Sequence, residues 1–443
     1  MERIAVFGTG YLGATHAAGM AELGHDVVGV DVDPDKIARL SRGELPFHEP
    51  GLPQLLATHV ASGRLRFTTD ASEAMADADV VFIGVGTPQK PRDNAADLRY
   101  VNAVVETIGP LVRRPTVVLG KSTVPVGTAA SLLARLRDLA PNPADVDLGW
   151  NPEFLREGLA VQDTLAPDRI VVGVDRAKPG RVEEVARRVY AAAIDAGAPF
   201  LVTDLATAEL TKVAANAFLA TKISFINAMA EICDATGADV VQLADAIGHD
   251  ARIGRRFLGA GLGFGGGCLP KDIRAFRARA GELGLEHALA FLREVDAINV
   301  RRRTHVVDMA RAAVGGSLSG AVIAVLGAAF KPDSDDIRDS PALDVAGSMH
   351  LAGADVRVYD PAARANASAA WPTLTFVDSA SEAVRGTSVV VVATDWSEFR
   401  EADPRALAEL AERPYVIDAR NCLDVDAWRA AGWTYRGMGR HAT

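Results

Sequence analysis

Cysteine is scarce in this 443-residue chain: Cys233, Cys268 and Cys422 are the three it has. They lie far apart with no C-x-x-C pair, so neither a disulfide framework nor a thiolate zinc site is expected, and a reducing, cytoplasmic compartment fits. The nine histidines show no H-x-x-x-H spacing, and no metal site is expected. No run approaches the roughly 20 apolar residues that cross a bilayer, and residues 4–7 read as a strand with no apolar signal region ahead of it. Positive charge is also short. A formal net charge of −10 argues against a broad nucleic-acid or anionic-membrane surface, while leaving room for a local cationic pocket.

Aromatics make up 6% of the chain, whereas 49% is hydrophobic and 40 residues are glycine. That balance suits an α/β protein with buried aliphatic strands and tight turns. The length exceeds one ordinary core and predicts two or three domains. Strand patterns at 4–8, 26–30, 80–85, 116–120 and near 146–150 alternate with helical stretches, which implies βαβ units and a parallel sheet. The run from Ala321 to Gly327 echoes the one from Ile4 to Gly8, residues 355–360 echo 26–31, and 381–392 echo 72–83. The expected fold class is therefore α/β, with two doubly wound Rossmann-like domains, the second lacking a glycine fingerprint. A long central helix and a helical dimerisation region join them. We place the domains at 1–203, 204–313 and 314–443. Asp204 is the expected N-cap of the long helix, which runs to about Ala235 and stops at Gly237. Further helices are expected at 240–247, 271–283 and 289–313.

Gly8-Thr9-Gly10-Tyr11-Leu12-Gly13 directly follows a strand and opens a helix. Gly8 permits the turn, Gly10 lets the backbone approach a pyrophosphate, Gly13 allows close helix–strand packing, and the helix start presents N–H groups to the phosphates. Asp31 ends the next strand, where a carboxylate accepts from a ribose 2′-OH and repels a 2′-phosphate, favouring NAD over NADP. Lys36 is placed either to reach the adenosine side or as a surface helix residue. Thr87 and the pair Ser122–Thr123 follow strands at their carboxyl ends, where ligands collect. The alternative for Thr123 is a turn-capping hydroxyl.

Cys268 follows three glycines and precedes Pro270. This sets it at or just before a helix N-terminus, a position that favours thiolate. Lys212 and Asn216 share one helix face by their spacing, a face that is solvated unless it lines a cleft, where both would stabilise oxyanion charge. Asn151, Pro152 and Glu153 read as the N-cap, N1 and N2 of a helix. Glu153 and Asp272 are thus either catalytic acids or first-turn acids complementing a helix dipole.

Taken together, these segments resemble the UDP-glucose/GDP-mannose dehydrogenase family, in particular its members acting on UDP-glucose. The matching stretches are the Gly8–Gly13 loop, 121–127, 151–158, 167–173, Glu209 to Phe218, Arg252 to Gly254, the Cys268 loop and Phe330 to Asp333, in family order over nearly the whole chain. The resemblance implies two hydride transfers to NAD, by way of an aldehyde, a thiohemiacetal and a thioester on Cys268. It gives Lys212 and Asn216 to the oxyanion and Asp272, Thr123 and Glu153 to water and protons. Phe154, Leu155, Phe257, Gly265, Lys331 and the nucleotide-contacting Arg420 are implied substrate contacts, and Tyr11 and Leu12 cofactor contacts. Arg252 matches a residue that reaches the neighbouring subunit's substrate, which implies a homodimer or higher homo-oligomer. The family usually has serine where Gly267 stands, and many UDP-glucose members have phenylalanine at Leu269. UDP-glucose, TDP-glucose and GDP-mannose are the candidate substrates in that order, and a simpler two-electron hydroxy-acid dehydrogenase is the alternative.

Overall fold

The computed structural model describes residues 1–91 and 93–440. They divide into two compact units, Met1–Ala215 with Arg274–Gly284, and Asn216–Ile273 with Leu285 onward.

Among the described residues, the first unit holds a sheet of eight strands: β1 (Arg3–Phe7), β2 (Asp26–Val30), β3 (Leu65–Thr68), β4 (Val80–Ile83), β5 (Thr116–Gly120), β6 (Val146–Trp150), β7 (Ile170–Val174) and β8 (Phe200–Asp204). Their spatial order is β3-β2-β1-β4-β5-β6-β7-β8. Pairing is parallel except where Trp150 meets Gly173 between β6 and β7. β4, β5, β6 and β7 are buried along their whole length, as strands covered on both faces must be. β1 pairs with both β2 and β4, so the topological switch point falls at the carboxyl ends of β1 and β4. The Gly8 loop and the Thr87 segment start there.

β2, β5 and β6 have the expected bounds. The expected strand 80–85 stops at Ile83, and just beyond it the Val85 carbonyl accepts from Ser122 Oγ at 2.6 Å instead of from a strand. β3, β7 and β8 lie outside the expected strands; β3 and β8 are edge strands, with Leu201 and Val202 of β8 exposed, whereas β7 is buried throughout. A Cβ on Gly13 would lie 1.7 Å from the Gly8 carbonyl oxygen. Gly13→Ala must therefore push the helix off the sheet. We expect about 1–3 kcal/mol of destabilisation, read as a melting temperature several degrees lower, together with weakened NAD binding in a fluorescence titration.

The second unit repeats the order with β9 (Val322–Leu326), β10 (Asp355–Tyr359), β11 (Thr375–Phe376), β12 (Val389–Val392), β13 (Tyr415–Asp418) and β14 (Thr434–Gly437), arranged β11-β10-β9-β12-β13-β14. The repeat reaches individual hydrogen bonds. The Gly8 N–H donates to Val30 at 2.8 Å and the Gly327 N–H to Tyr359 at 2.7 Å. The Thr9 N–H donates to Asp31 at 2.8 Å and the Ala328 N–H to Asp360 at 2.7 Å. Asp360, however, is buried and also accepts from Ala329, Ala362, Ala363 and Trp396. These five bonds occupy its carboxylate.

Helix Leu205–Thr236 is capped by Asp204, whose Oδ1 accepts from the Thr207 N–H at 2.8 Å, and it stops at Gly237 with φ 83°. Other helices run over Val240–Gly248, Leu269–Glu282 and Phe291–Ala313. Contrary to the sequence expectation, Leu205–Thr236 is long and apolar enough to cross a membrane by length and composition. Yet its buried Glu209, Lys212, Asn216, Ser224 and Asn227 all bond to protein groups, as in a core helix. Leu210, Phe218, Phe225 and Ile232 are exposed along it, within an arc of about 80° at 100° per residue.

Candidate active site

In the first unit, Gly8 follows β1 at φ 92°, and a Cβ there would lie 2.7 Å from Val85. Packing thus demands glycine at 8 and 13. Gly10 differs, because apart from its own chain neighbours no described atom lies within 4 Å of where its Cβ would be. This open space at the start of helix Tyr11–Glu22 fits a pyrophosphate against a helix N-terminus. Burial pushes the Asp31 carboxyl up, but the Thr9 N–H and Lys36 Nζ, the latter at 3.0 Å, bring it below the usual carboxylate range. Asp31 is therefore an anion poised to accept, and Lys36 is its partner. Leu12 is half-buried beside Tyr11. The Tyr11 hydroxyl donates to Glu49, which also accepts from the Gly158 and Ala160 N–H groups at 2.7 and 2.8 Å. Glu49 thereby ties the glycine-loop helix to the segment after Glu153. Thr87 Oγ1 donates to the Thr123 carbonyl at 2.7 Å. The hydroxyls of Thr87 and Ser122 here hold the strand ends.

The helix expected from Asn151 does not form; residues 151–156 are irregular and the next helix is Ala160–Leu165. The Asn151 side chain has other partners. Its Oδ1 accepts from Tyr190 Oη at 2.6 Å and Lys121 Nζ at 3.0 Å, and its Nδ2 donates to Val171 at 2.8 Å. Three tertiary bonds outcompete one cap. Lys121 is buried, and that burial pushes its ammonium down to about 8. Beyond Asn151, Glu153 Oε1 pairs with Lys212 Nζ at 2.9 Å and its Oε2 accepts from the Leu155 N–H at 2.6 Å. The two side chains are 12% and 7% exposed, so the Lys212 face is not solvated. Phe154 stacks beneath the Arg169 guanidinium at 3.8 Å, with Lys212 5.7 Å from its ring centre. A cavity of about 50 Å³ beside Lys121, Glu153 and Leu155 has room for ordered water.

In the second unit Cys268 is exposed and immediately precedes helix Leu269–Glu282, whose Asp272 N–H donates to the Cys268 carbonyl at 2.9 Å. The expected placement at a helix N-terminus holds. Asp272 is buried between Asn216 Nδ2 and Lys271 Nζ, both at 2.7 Å. The glycine loop leading to Cys268 is held by its backbone. The Gly261 N–H donates to Asn227 at 2.8 Å, and Asn299 both accepts from the Phe264 N–H at 2.7 Å and donates to its carbonyl at 2.9 Å. A Cβ at Gly265 would lie 2.2 Å from the Asp339 carbonyl, and one at Gly267 would lie 2.3 Å from the Arg338 guanidinium. Arg338 thus occupies the space that a serine at 267 would claim.

Arg420 donates to the carbonyls of Ala393 at 2.7 Å and Gly263 at 2.8 Å, and its burial lowers the guanidinium pKa. Lys331 Nζ lies 5.4 Å from the Phe330 ring centre, and Phe257 is held at φ 66°. Arg252 is exposed on its own, paired with Asp250 at 2.6 Å. The positioning residues Glu49, Tyr190, Asn227 and Asn299 carry no local sequence signal, since their partners are distant backbone groups and side chains.

Three family models match in order: the UDP-glucose/GDP-mannose dehydrogenase family NAD binding domain over 2–194, its central domain over 206–301 and its UDP binding domain over 324–425. The chain is 40% identical over 441 residues to UDP-glucose 6-dehydrogenase YwqF of Bacillus subtilis (99% of this chain, 98% of that protein). It is 43% identical over 438 residues to UDP-glucose 6-dehydrogenase of Rhizobium meliloti, covering 99% of each. A solved UDP-glucose dehydrogenase from Pyrobaculum islandicum superposes with a TM-score of 0.90 at 39% identity, over 100% of this chain and 98% of that one.

Proposed function

Because this chain belongs to the UDP-glucose/GDP-mannose dehydrogenase family, we propose that it oxidises the C6 hydroxymethyl of a nucleoside-diphosphate sugar to a carboxylate, with UDP-glucose the preferred substrate and NAD the oxidant. The observation that carries this reading is the exposed Cys268 at a helix start, behind a glycine loop whose backbone is clamped in place. A thiol there has the field of the helix to favour its thiolate.

NAD, which the Gly8–Gly13 loop and Asp31 would hold, would supply the hydride acceptor for each of two oxidations at C6. Between the steps the Cys268 sulfur adds to the C6 aldehyde, giving a thiohemiacetal whose oxidation yields a thioester. Water cleaves this to the carboxylate and returns the thiol. Lys212 and Asn216 stabilise the oxygen charge that develops at C6, and Thr123, Glu153 and Asp272 orient water and take protons. Residues 1–203 serve NAD, 204–313 form the central helical part, and 314–443 hold the nucleotide, with Arg420 and Lys331 supplying its positive charge. Phe154, Leu155, Phe257 and Gly265 line the sugar.

The exposed Phe218, Phe225 and Ile232 on one face of the second unit's part of the helix support a homodimer, because large apolar side chains clustered on a surface mark sites of protein association. Arg252, exposed on its own chain, then serves the partner's sugar.

The test is stoichiometric. NADH absorbance is followed to completion on a panel of UDP-, TDP- and GDP-sugars. Two NADH per UDP-glucose, with uronate as product, are expected; one NADH per sugar points to the simple hydroxy-acid dehydrogenase and rejects the thioester.

A further inference from the structure

The turn that carries Thr123 is held by groups to which the chemistry above gives no role. It leads into helix Thr128–Leu139, whose N-cap is Gly127 at φ 97°, a residue with no side chain to satisfy the first N–H groups. The cap comes from elsewhere in the fold. Glu209, buried on the long helix three residues before Lys212, accepts from the Gly127 N–H at 2.8 Å through Oε2 and from the Ala129 N–H at 2.6 Å through Oε1. Arg279 donates to the Val126 carbonyl at 2.9 and 3.1 Å.

We propose that Glu209 is a positioning residue for this oxidation, its carboxylate tying the helix that carries Lys212 to the turn that carries Thr123. The inference rests on the roles given above to Lys212 and Thr123.

Both oxygens must accept for the tie to hold. A carboxylate can do this, whereas a protonated acid or an amide turns one donor toward a backbone N–H and loses that bond. Burial pushes the Glu209 carboxyl up to about 7, against the opposing pull of the Ala129 and Gly127 N–H groups and of Arg279. Arg279 is the charged group facing it from across the turn, and is itself bonded to Glu282 at 2.7 Å. On Glu209's own helix, Lys212 is engaged by Glu153. The tie therefore forms as pH rises through neutrality and loosens as it falls.

Glu209→Gln reproduces the loosened form at every pH, and it removes the cost of burying a charge, so the variant is expected to melt no lower than the wild type. The measurement is kcat and KM for UDP-glucose from about pH 5.5 to 9 in both proteins. Wild-type kcat should fall on the acid side with an ionisation near 7. The Glu209→Gln profile should lack that ionisation and lie roughly tenfold below the wild-type plateau, with KM changed by less than about threefold. Cys268 is common to both proteins, so its own ionisation cancels in the comparison. A Glu209→Gln enzyme that keeps the ionisation overturns the tie, whether its kcat is intact or uniformly reduced. A wild-type protein that yields no NADH from any nucleotide sugar instead overturns the functional reading itself.

Discussion

Cys268→Ser is expected to abolish uronate formation while NAD still binds. A serine hydroxyl is a far poorer nucleophile than a thiolate, and an ester is a poorer acyl intermediate to hydrolyse than a thioester, so turnover to carboxylate should drop by roughly three orders of magnitude or more, about 4 kcal/mol of barrier. In the proposed sequence the first oxidation precedes addition of the sulfur. The variant should then release a burst of up to one NADH per active site and retain an aldehyde-level species detectable by reduction with borodeuteride and mass spectrometry. The other two thiols supply the control. Burial raises the pKa of both Cys233 and Cys422 and keeps them neutral. Cys233→Ser and Cys422→Ser should therefore retain the ratio of two NADH per sugar, and an alkylating reagent should inactivate the wild type by modifying Cys268 first. Full uronate turnover by Cys268→Ser would remove the covalent intermediate from the mechanism.

Cys268 stands out from its sequence neighbours alone, and the reason shows what is legible in a chain of this kind. The glycine fingerprint, the acid ending β2 and the thiol behind three glycines are all local patterns, set by turn geometry and strand ends, and each lies where the pattern places it. The internal repeat is legible too, because buried parallel strands read as aliphatic runs. Tertiary competition is not. Asn151 reads as a helix cap, but Lys121, Tyr190 and the Val171 carbonyl claim its side chain. Glu209 and Asn299 act on backbone groups 80 and 35 residues away, so although Glu209 opens a stretch that matches the family, nothing local shows what either side chain binds. The face bearing Lys212 is ambiguous for a related reason: spacing defines a face, while only packing decides whether it meets water.

The burial of that face makes Lys212 the site of the second large effect. On the proposed mechanism, Lys212→Met should lower kcat by about 10²–10³, the usual scale for removing one donor to a developing oxyanion, with a much smaller change in KM, because that mechanism needs the ammonium most when charge appears on the C6 oxygen. The same substitution strands Glu153, which keeps the Leu155 N–H but loses an ammonium at 2.9 Å in a setting where its side chain is 12% exposed. Breaking a buried pair in this way costs about 3–5 kcal/mol, so Lys212→Met should also melt several degrees below the wild type. Stability and catalysis can then be separated. Adding Glu153→Gln removes the stranded charge, and the double variant should regain most of the lost melting temperature. It should regain none of the activity, since neither the oxyanion donor nor the carboxylate returns. Recovery of kcat alongside stability would remove both the oxyanion role of Lys212 and the proton role of Glu153, leaving the pair a structural one.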